Sequence, residues 1–267
     1  MSYPLGVHYG LSDKIYHALD EIEGRQSVSS SKGKAVLSQS IAHAFCAKKY
    51  KDTPAFQIGR AVHAWAGENI LPIKGGENRR GNPWKEAAER AEKMNVVCLT
   101  DADYERVSGM VDALHESPQI GFLLGHKDKV AEASIFAAHD NTSLALKARP
   151  DLMIQSQGIV VDLKTTISAE PYEFERQMYK LKYAFQAAWY KRTLELAGLR
   201  CDRFLFANVE KEPPYATSLV EVGPELMAHS LEQVEQILLK IEQAIQTETY
   251  ATGWPAVHVA QLPAWLG

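Results

Sequence analysis

Charge set inside apolar strands constrains this chain more than any other feature. Residues 144–155 and 158–165 read as a hairpin turned by Ser156 and Gln157. This register sets Asp151 opposite Asp162, and Cβ atoms so opposed lie about 4.5–5.5 Å apart. Two carboxylates at that spacing can share one hard cation through their oxygens. Lys164, two residues past Asp162, projects from the same face. Around these groups stand Leu152, Met153, Ile154, Ile159, Val160 and Val161. Unpaired charge in such surroundings is costly, so the groups must pair or hold a metal. Two strand-end acids in surface salt bridges are the plain alternative. The lysine companion and the cross-strand opposition together favour the metal. An acid, a gap and then Asp-x-Lys is the layout of metal-dependent phosphodiester hydrolysis. Lys164 would orient or deprotonate water there and offset charge on the phosphorane.

Other segments are candidates by the same chemistry. Glu132 lies between Ala131 and Ala133 in a strand read at 130–138. It is an edge residue unless that strand neighbours 144–155. It would then join the acids, and two cations ~3.5–4 Å apart could serve the attacking water and the leaving oxygen. Gly59 and His63 share a helix face at i and i+4. The glycine suits close packing on the sheet and the histidine would reach the cation, although a lone helical histidine is more often structural. Tyr183, Gln186 and Tyr190 share another helix face. They form either a core stripe or a glutamine that orients water, with tyrosines near the substrate backbone. Asn78, Arg79 and Arg80 occupy a Gly-rich loop. Solvated charge is the ordinary reading there, and phosphate capture by the guanidinium fork is the functional one. Arg149, ahead of Pro150 and Asp151, is a further phosphate candidate, and the basic run at 48–51 is a weaker one.

A net charge of −4 over 267 residues argues against a polycation that coats nucleic acid, but not against a local basic channel. Cys46, Cys98 and Cys201 are far apart and read as reduced thiols; three cysteines cannot supply a four-cysteine iron–sulphur cluster. No apolar run reaches the roughly 18–20 residues that cross a bilayer, and the first residues lack a signal-peptide pattern. A cytoplasmic protein without a membrane partner is expected. Helices are expected at 31–49, 56–70, 83–94, 100–116, in two segments of 170–197, and at 224–247. The last is amphipathic through Leu231, Val234, Leu238, Ile241 and Ile245. Strands are expected at 130–138, 144–155, 158–165, 201–209 and 216–222. Residues 1–30 read as irregular around a short helix at 12–19. Together these give an α/β (α+β) fold, a mixed central sheet flanked by helices. One domain is expected over 1–267, with a mainly helical part to 128, the catalytic sheet and helices over 129–222, and a closing helix and packed tail over 223–267.

Taken in order, GRAVH, Glu132, RPD, DLKTT and YAFQAAWY resemble the RecB-like branch of the PD-(D/E)xK nucleases. More narrowly, the chain is similar almost end to end to the nuclease domain of RecE-type exonucleases. The similarity runs through YHALDEIEGRQSVSSSKGKAVL, ENRRGNPWKEAAE, AEASIF, KARPDLMI, VVDLKTT and GWPAVHVAQLPAWL. The resemblance implies a PD-(D/E)xK core and a Mg²⁺-dependent exonuclease, with Mn²⁺ able to substitute. Such an enzyme degrades one strand of linear double-stranded DNA from the 5′ end and leaves 3′ tails. It implies His63, Asp151 and Asp162 as metal ligands, helped by the Leu163 carbonyl, with Lys164 as the base or water-orienting group. It also implies a homotetrameric ring, a RecT-like single-strand annealing protein as partner, and a phage or prophage gene in a bacterial host. Asp162 stands where the wider superfamily more often has Glu. The rival readings are another nuclease of the superfamily, such as a Cas4-like one, and a catalytically dead DNA-end binder.

Overall fold

The protein is described by a computed structural model over residues 3–46 and 53–260. The basic run at 48–51 and the end of the tail lie outside the described residues. The chain opens with β1 (Gly6–His8), α1 (Asp13–Ala18), β2 (Glu21–Ile22) and β3 (Arg25–Ser29). Next come α2 (Ser30–Ser38), α3 (Ile41–Cys46), α4 (Pro54–Glu68), β4 (Ile73–Lys74), α5 (Gly81–Met94), β5 (Cys98–Leu99), α6 (Asp101–Glu116) and α7 (Pro118–Leu124). The strands β6 (Lys129–Ala131), β7 (Ser134–Ala138), β8 (Ala145–Ala148), β9 (Leu152–Ile154) and β10 (Ile159–Thr166) follow. The order closes with α8 (Pro171–Leu181), α9 (Tyr183–Leu196), β11 (Arg203–Glu210), β12 (Thr217–Glu221) and α10 (Pro224–Gln246). Side-chain caps start several helices as the sequence suggests. Ser12, Ser29, Thr53 and Thr100 each accept a backbone amide in the first turn.

The α/β fold expected is present, with its strands divided between two mixed sheets and a short pair. One five-stranded sheet has the order β1-β7-β8-β3-β2, a second has β12-β11-β10-β9-β6, and β4 pairs with β5. Each of two expected strands is broken into halves that lie in different sheets. The first breaks after β6 at Glu132, whose φ is 50°. The second breaks between β8 and β9 at Arg149-Pro150-Asp151; Pro150 has no N–H to donate to a ladder. The two strands still pair in one register on both sides of the break, Val130 with Met153 and Phe136 with Lys147. One hairpin therefore runs out of one sheet and into the other. The strand β3, hidden in a polar stretch taken as irregular, pairs parallel with β8.

The turn into β10 is not the two-residue one expected but a 3₁₀ turn at Gln155–Gln157 closed by Gly158 at φ 65°. It leaves the expected register intact, with Ile154 opposite Ile159 and Leu152 opposite Val161. One step further brings Asp151 beside Asp162. Alternation then sorts β10 between two cores. Ile159, Val161 and Leu163 join Val62, Met110 and Leu114 from α4 and α6. Val160 points the other way, to a core holding Phe185 and Trp189 of α9 and Val234, Leu238 and Ile241 of α10. Asp162 and Lys164 share the α9 side. The apolar face of α10 is thus spent on this core. The start of the tail runs along α3: Tyr250 lies 4.7 Å from the Phe45 ring, the Ala42 amide donates to Ala251 O at 3.3 Å and the Trp254 ring lies 5.5 Å from that of His43, although residues 251–260 are exposed.

Because Gly158 sets this register, it is the position to test. An L side chain at its positive φ is strained by roughly 1–2 kcal/mol, and an added Cβ would fall 2.3 Å from Asp202 Oδ2. Gly158→Ala is expected to lose at least about 1 kcal/mol in urea unfolding. Unchanged stability would show that the turn does not depend on this conformation.

Candidate active site

Three ligand atoms converge where the hairpin changes sheet. One atom each from His63, Glu132 and Asp151 lie within 4.8 Å of one another. α4 brings His63 from the helical layer, and the break in each strand brings one acid. The backbone itself ties the acids together, Glu132 N donating to Asp151 O at 3.2 Å. Asp151 is the junction of the site. Its Oδ1 lies 3.2 Å from His63 Nδ1, and its Oδ2 accepts the Leu163 amide at 2.5 Å. Leu163 thus reaches the site through its backbone N–H as well as holding the position at which its carbonyl was expected to assist.

Asp162, expected as a ligand with His63 and Asp151, lies beside Asp151 on the adjoining strand but is not one of these three. Its Oδ1 accepts the Lys164 ammonium, and its Oδ2 accepts Gln186 Nε2 at 2.7 Å. The Lys164 Nζ also sits 4.8 Å from the centre of the Tyr183 ring, a cation–π contact.

Burial and neighbouring charge set the protonation states. Burial alone would push the Asp151 carboxyl up, but His63, Lys164 and the Leu163 amide outweigh it and hold it low. Burial pulls the His63 imidazole down, and Asp151 overcomes this to bring it to about 8. Burial, then repulsion from Asp151, pushes Glu132 up to about 8. Burial likewise raises Asp162 in spite of Lys164. Burial opposes the Lys164 charge, but Asp162 and Asp151 more than restore it and raise its pKa, so it is an ammonium. Glu132 and His63 thus hold protons near neutral pH while Asp151 is ionised between them. That donor set, two oxygens and a nitrogen at a half-buried position, fits a divalent metal, which displaces those protons on binding.

Other expected site residues are placed differently. Arg149 is turned inward, away from a role in gripping phosphate. Its guanidinium donates to Ser134 Oγ, to Asp13 Oδ1 at 2.6 Å and to Leu11 O at 2.8 Å, and lies over the Tyr16 ring. Lys147, on the same face of its strand, donates to Tyr16 O and Leu19 O. The two cations clamp α1 as one wall of a cleft of about 430 Å³, which also has His63, Glu68 and Glu132 on its lining. Arg79 is likewise engaged, by Gln57 at 2.6 Å and Asp103 at 3.3 Å. Asn78 and Arg80 are exposed on the same loop, and the Asn78 side chain accepts the Arg80 amide. Tyr190 packs against Phe204 in the core, and burial keeps its hydroxyl protonated. Gly59 faces Thr165, but a Cβ there would sit at an ordinary 3.8 Å, so close packing does not require the glycine. The sequence reading missed Lys34 of α2, which donates to Gln186 Oε1 at 3.0 Å across 152 residues of chain. No local pattern marks such a contact.

The fold and this site define the PDDEXK-like class. The chain belongs to the family described as a PDDEXK-like domain of unknown function (DUF3799), matched over residues 27–253. No curated protein matches it in sequence. Among solved structures it is similar in fold to a candidate exonuclease from Eubacterium rectale, with a TM-score of 0.61 at 13% identity, over 91% of this chain and 89% of that one. A phage related exonuclease from Haemophilus somnus 129PT aligns at a TM-score of 0.38 and 12% identity, over 84% of this chain and 97% of that one. The second likeness is too low to bear on the fold. Among the described residues no helix is long and apolar enough to cross a membrane.

The raised values of Glu132 and His63 have one consequence for stability. The folded state holds protons that the unfolded chain releases, from about 4.3 upward for Glu and about 6.5 for His. Both contributions therefore fall as pH rises to about 8. Lys34 and Lys147, lowered to about 8 chiefly by burial, act in the opposite sense and above that window. Thermal melts in EDTA should show Tm falling between about pH 6.5 and about pH 8. Added Mn²⁺ should raise Tm more at the upper end, and Glu132→Gln should weaken both effects. A Mn²⁺ response independent of pH would contradict this site.

Proposed function

We propose that the protein is a metal-dependent exodeoxyribonuclease. The observation that carries this is the His63–Glu132–Asp151 group beside the Asp162–Lys164 pair on a PDDEXK-like fold. His63, Glu132 and Asp151 would hold the cation. A divalent cation there supplies charge stabilisation at the phosphoryl group and activates water for attack. Mg²⁺ suits the carboxylates, and the imidazole favours Mn²⁺ as a substitute of higher affinity. A second ion during turnover belongs to the same proposal.

The chain's own residues supply the rest. Lys164, held as an ammonium, donates toward the reacting phosphate and offsets its charge; its raised pKa favours this role over proton abstraction. Asp151 fixes the His63 ring and receives the Leu163 amide, so the ligand side chain and the catalytic strand keep a common position. Gln186 holds the Asp162 carboxylate against Lys164. Tyr183 covers the ammonium and limits its access to water.

The finer reading rests on the RecE-type resemblance. Linear double-stranded DNA is cut 5′→3′ to leave 3′ tails for a single-strand annealing protein, in the bacterial cytoplasm and within a homotetrameric ring. Asn78 and Arg80 are the exposed loop groups left to contact the phosphate backbone.

Linear duplex labelled at the 5′ or the 3′ end separates these claims. With Mg²⁺ or Mn²⁺ the 5′ label should be released first, and EDTA should stop the reaction. Asp162→Ala and Lys164→Ala should each cut turnover by at least about 10²-fold while remaining folded. Near-normal activity in either variant would sink the assignment, and early release of the 3′ label would overturn the polarity alone.

A further inference from the structure

We propose that Lys34 is a positioning residue of this site, which fixes the Asp162 carboxylate by orienting the amide of Gln186. The inference rests on the nuclease reading for its kinetic consequence but not for its geometry.

A glutamine amide presents an oxygen or an NH₂ group with nearly the same shape, and only its partners decide which. Gln186 is buried, with one partner on each side. Asp162 Oδ2 lies 2.7 Å from Nε2, and Lys34 Nζ lies 3.0 Å from Oε1. An ionised carboxylate only accepts, and an ammonium only donates. Together they permit one amide orientation and forbid the other. Lys34, Gln186 and Lys164 thereby form a series of donors that ends on Asp162, one donor for each carboxylate oxygen. Without Lys34, only repulsion between the amide oxygen and Asp162 opposes the flipped orientation, and the amide oxygen loses this donor.

A second observation shows that the fold is built to make this contact. Gly33, the residue before Lys34, lies against α9. A Cβ there would come within 2.8 Å of Trp189 Cζ3 and 2.9 Å of Phe185 Cε1. Both rings are fully buried in the core and cannot give way. Only glycine lets α2 approach α9 this closely, and that approach is what carries Lys34 to Gln186. Lys34 also packs toward the Tyr183 ring at 5.7 Å, one turn before Gln186 on the same helix.

The test compares Lys34→Met, Lys34→Arg, Gln186→Ala and the double variant Lys34→Met/Gln186→Ala on linear duplex with Mn²⁺. Partners of this kind typically carry 10–100-fold in activity, so kcat of Lys34→Met should fall by about 10-fold or more. KM should stay within about twofold, because Lys34 acts behind Asp162 rather than on DNA. Lys34→Arg, which keeps the donors, should recover most of the loss. The double variant should be no slower than Gln186→Ala, since Lys34 works through that amide. A rise in KM, or losses that multiply in the double variant, would overturn the proposal. Lys34→Ala repeats the comparison if Lys34→Met does not fold. A second readout needs neither metal nor substrate. The Gln186 side-chain NH₂ should give an exchange-protected pair in ¹⁵N spectra of the native protein and lose that protection in Lys34→Met; unchanged protection would also overturn it. If the native protein cleaves no DNA, the nuclease reading fails while the amide spectrum still decides the positioning.

Discussion

The backbone hydrogen bond from Glu132 to Asp151 joins two strands at the point where both leave one sheet for the other. The rest of the site follows from that crossing. A continuous ladder would send alternate side chains to opposite faces and spread the acids among core residues. The break instead lets Glu132 turn through a positive φ and frees Asp151, behind Pro150, to face α4 and β10 together. A non-glycine residue in that conformation is strained by roughly 1–2 kcal/mol. Strain of this kind persists where surrounding structure over-determines it, and here it coincides with the ligand cluster.

Electrostatics then divide the labour between two carboxylate sites that touch the same strand. Asp151 and Glu132 lie with an imidazole on the α4 side, where His63 holds Asp151 low while burial and repulsion from Asp151 raise Glu132. Asp162 lies on the α9 side, with its oxygens committed to an ammonium and an amide. One end of the site is prepared for a cation from solution and the other already holds its own. The inward cations follow the same logic on a larger scale. Lys147 and Arg149 use their donors to fasten α1 over the cleft, so that they contribute shape rather than an exposed basic surface.

Much of this arrangement was legible in the sequence. The opposition of Asp151 and Asp162 followed from alternation and hairpin pairing, and it survived a longer turn because the 3₁₀ turn and left-handed Gly158 preserve register. Gln186 was marked by its helical spacing, and His63 by its coincidence with acids elsewhere. The crossing between sheets was not legible. It depends on a backbone angle at Glu132 and on packing between layers, although Pro150 was a local sign that the ladder could not continue. β3 was hidden because Arg25–Ser29 is polar and owes its place to pairing with β8. Lys34 and Gly33 lie in a stretch whose meaning comes from α9, far away in sequence. Arg149 and Arg79 looked like phosphate ligands because charge type and loop composition do not reveal which guanidinium groups are already satisfied inside the fold.

The most direct measurement is anomalous scattering from crystals of the protein grown or soaked with Mn²⁺. A peak coordinated by His63, Glu132 and Asp151 is the predicted result. Manganese bound elsewhere, with these three side chains left unliganded at full occupancy of that other site, would contradict the account.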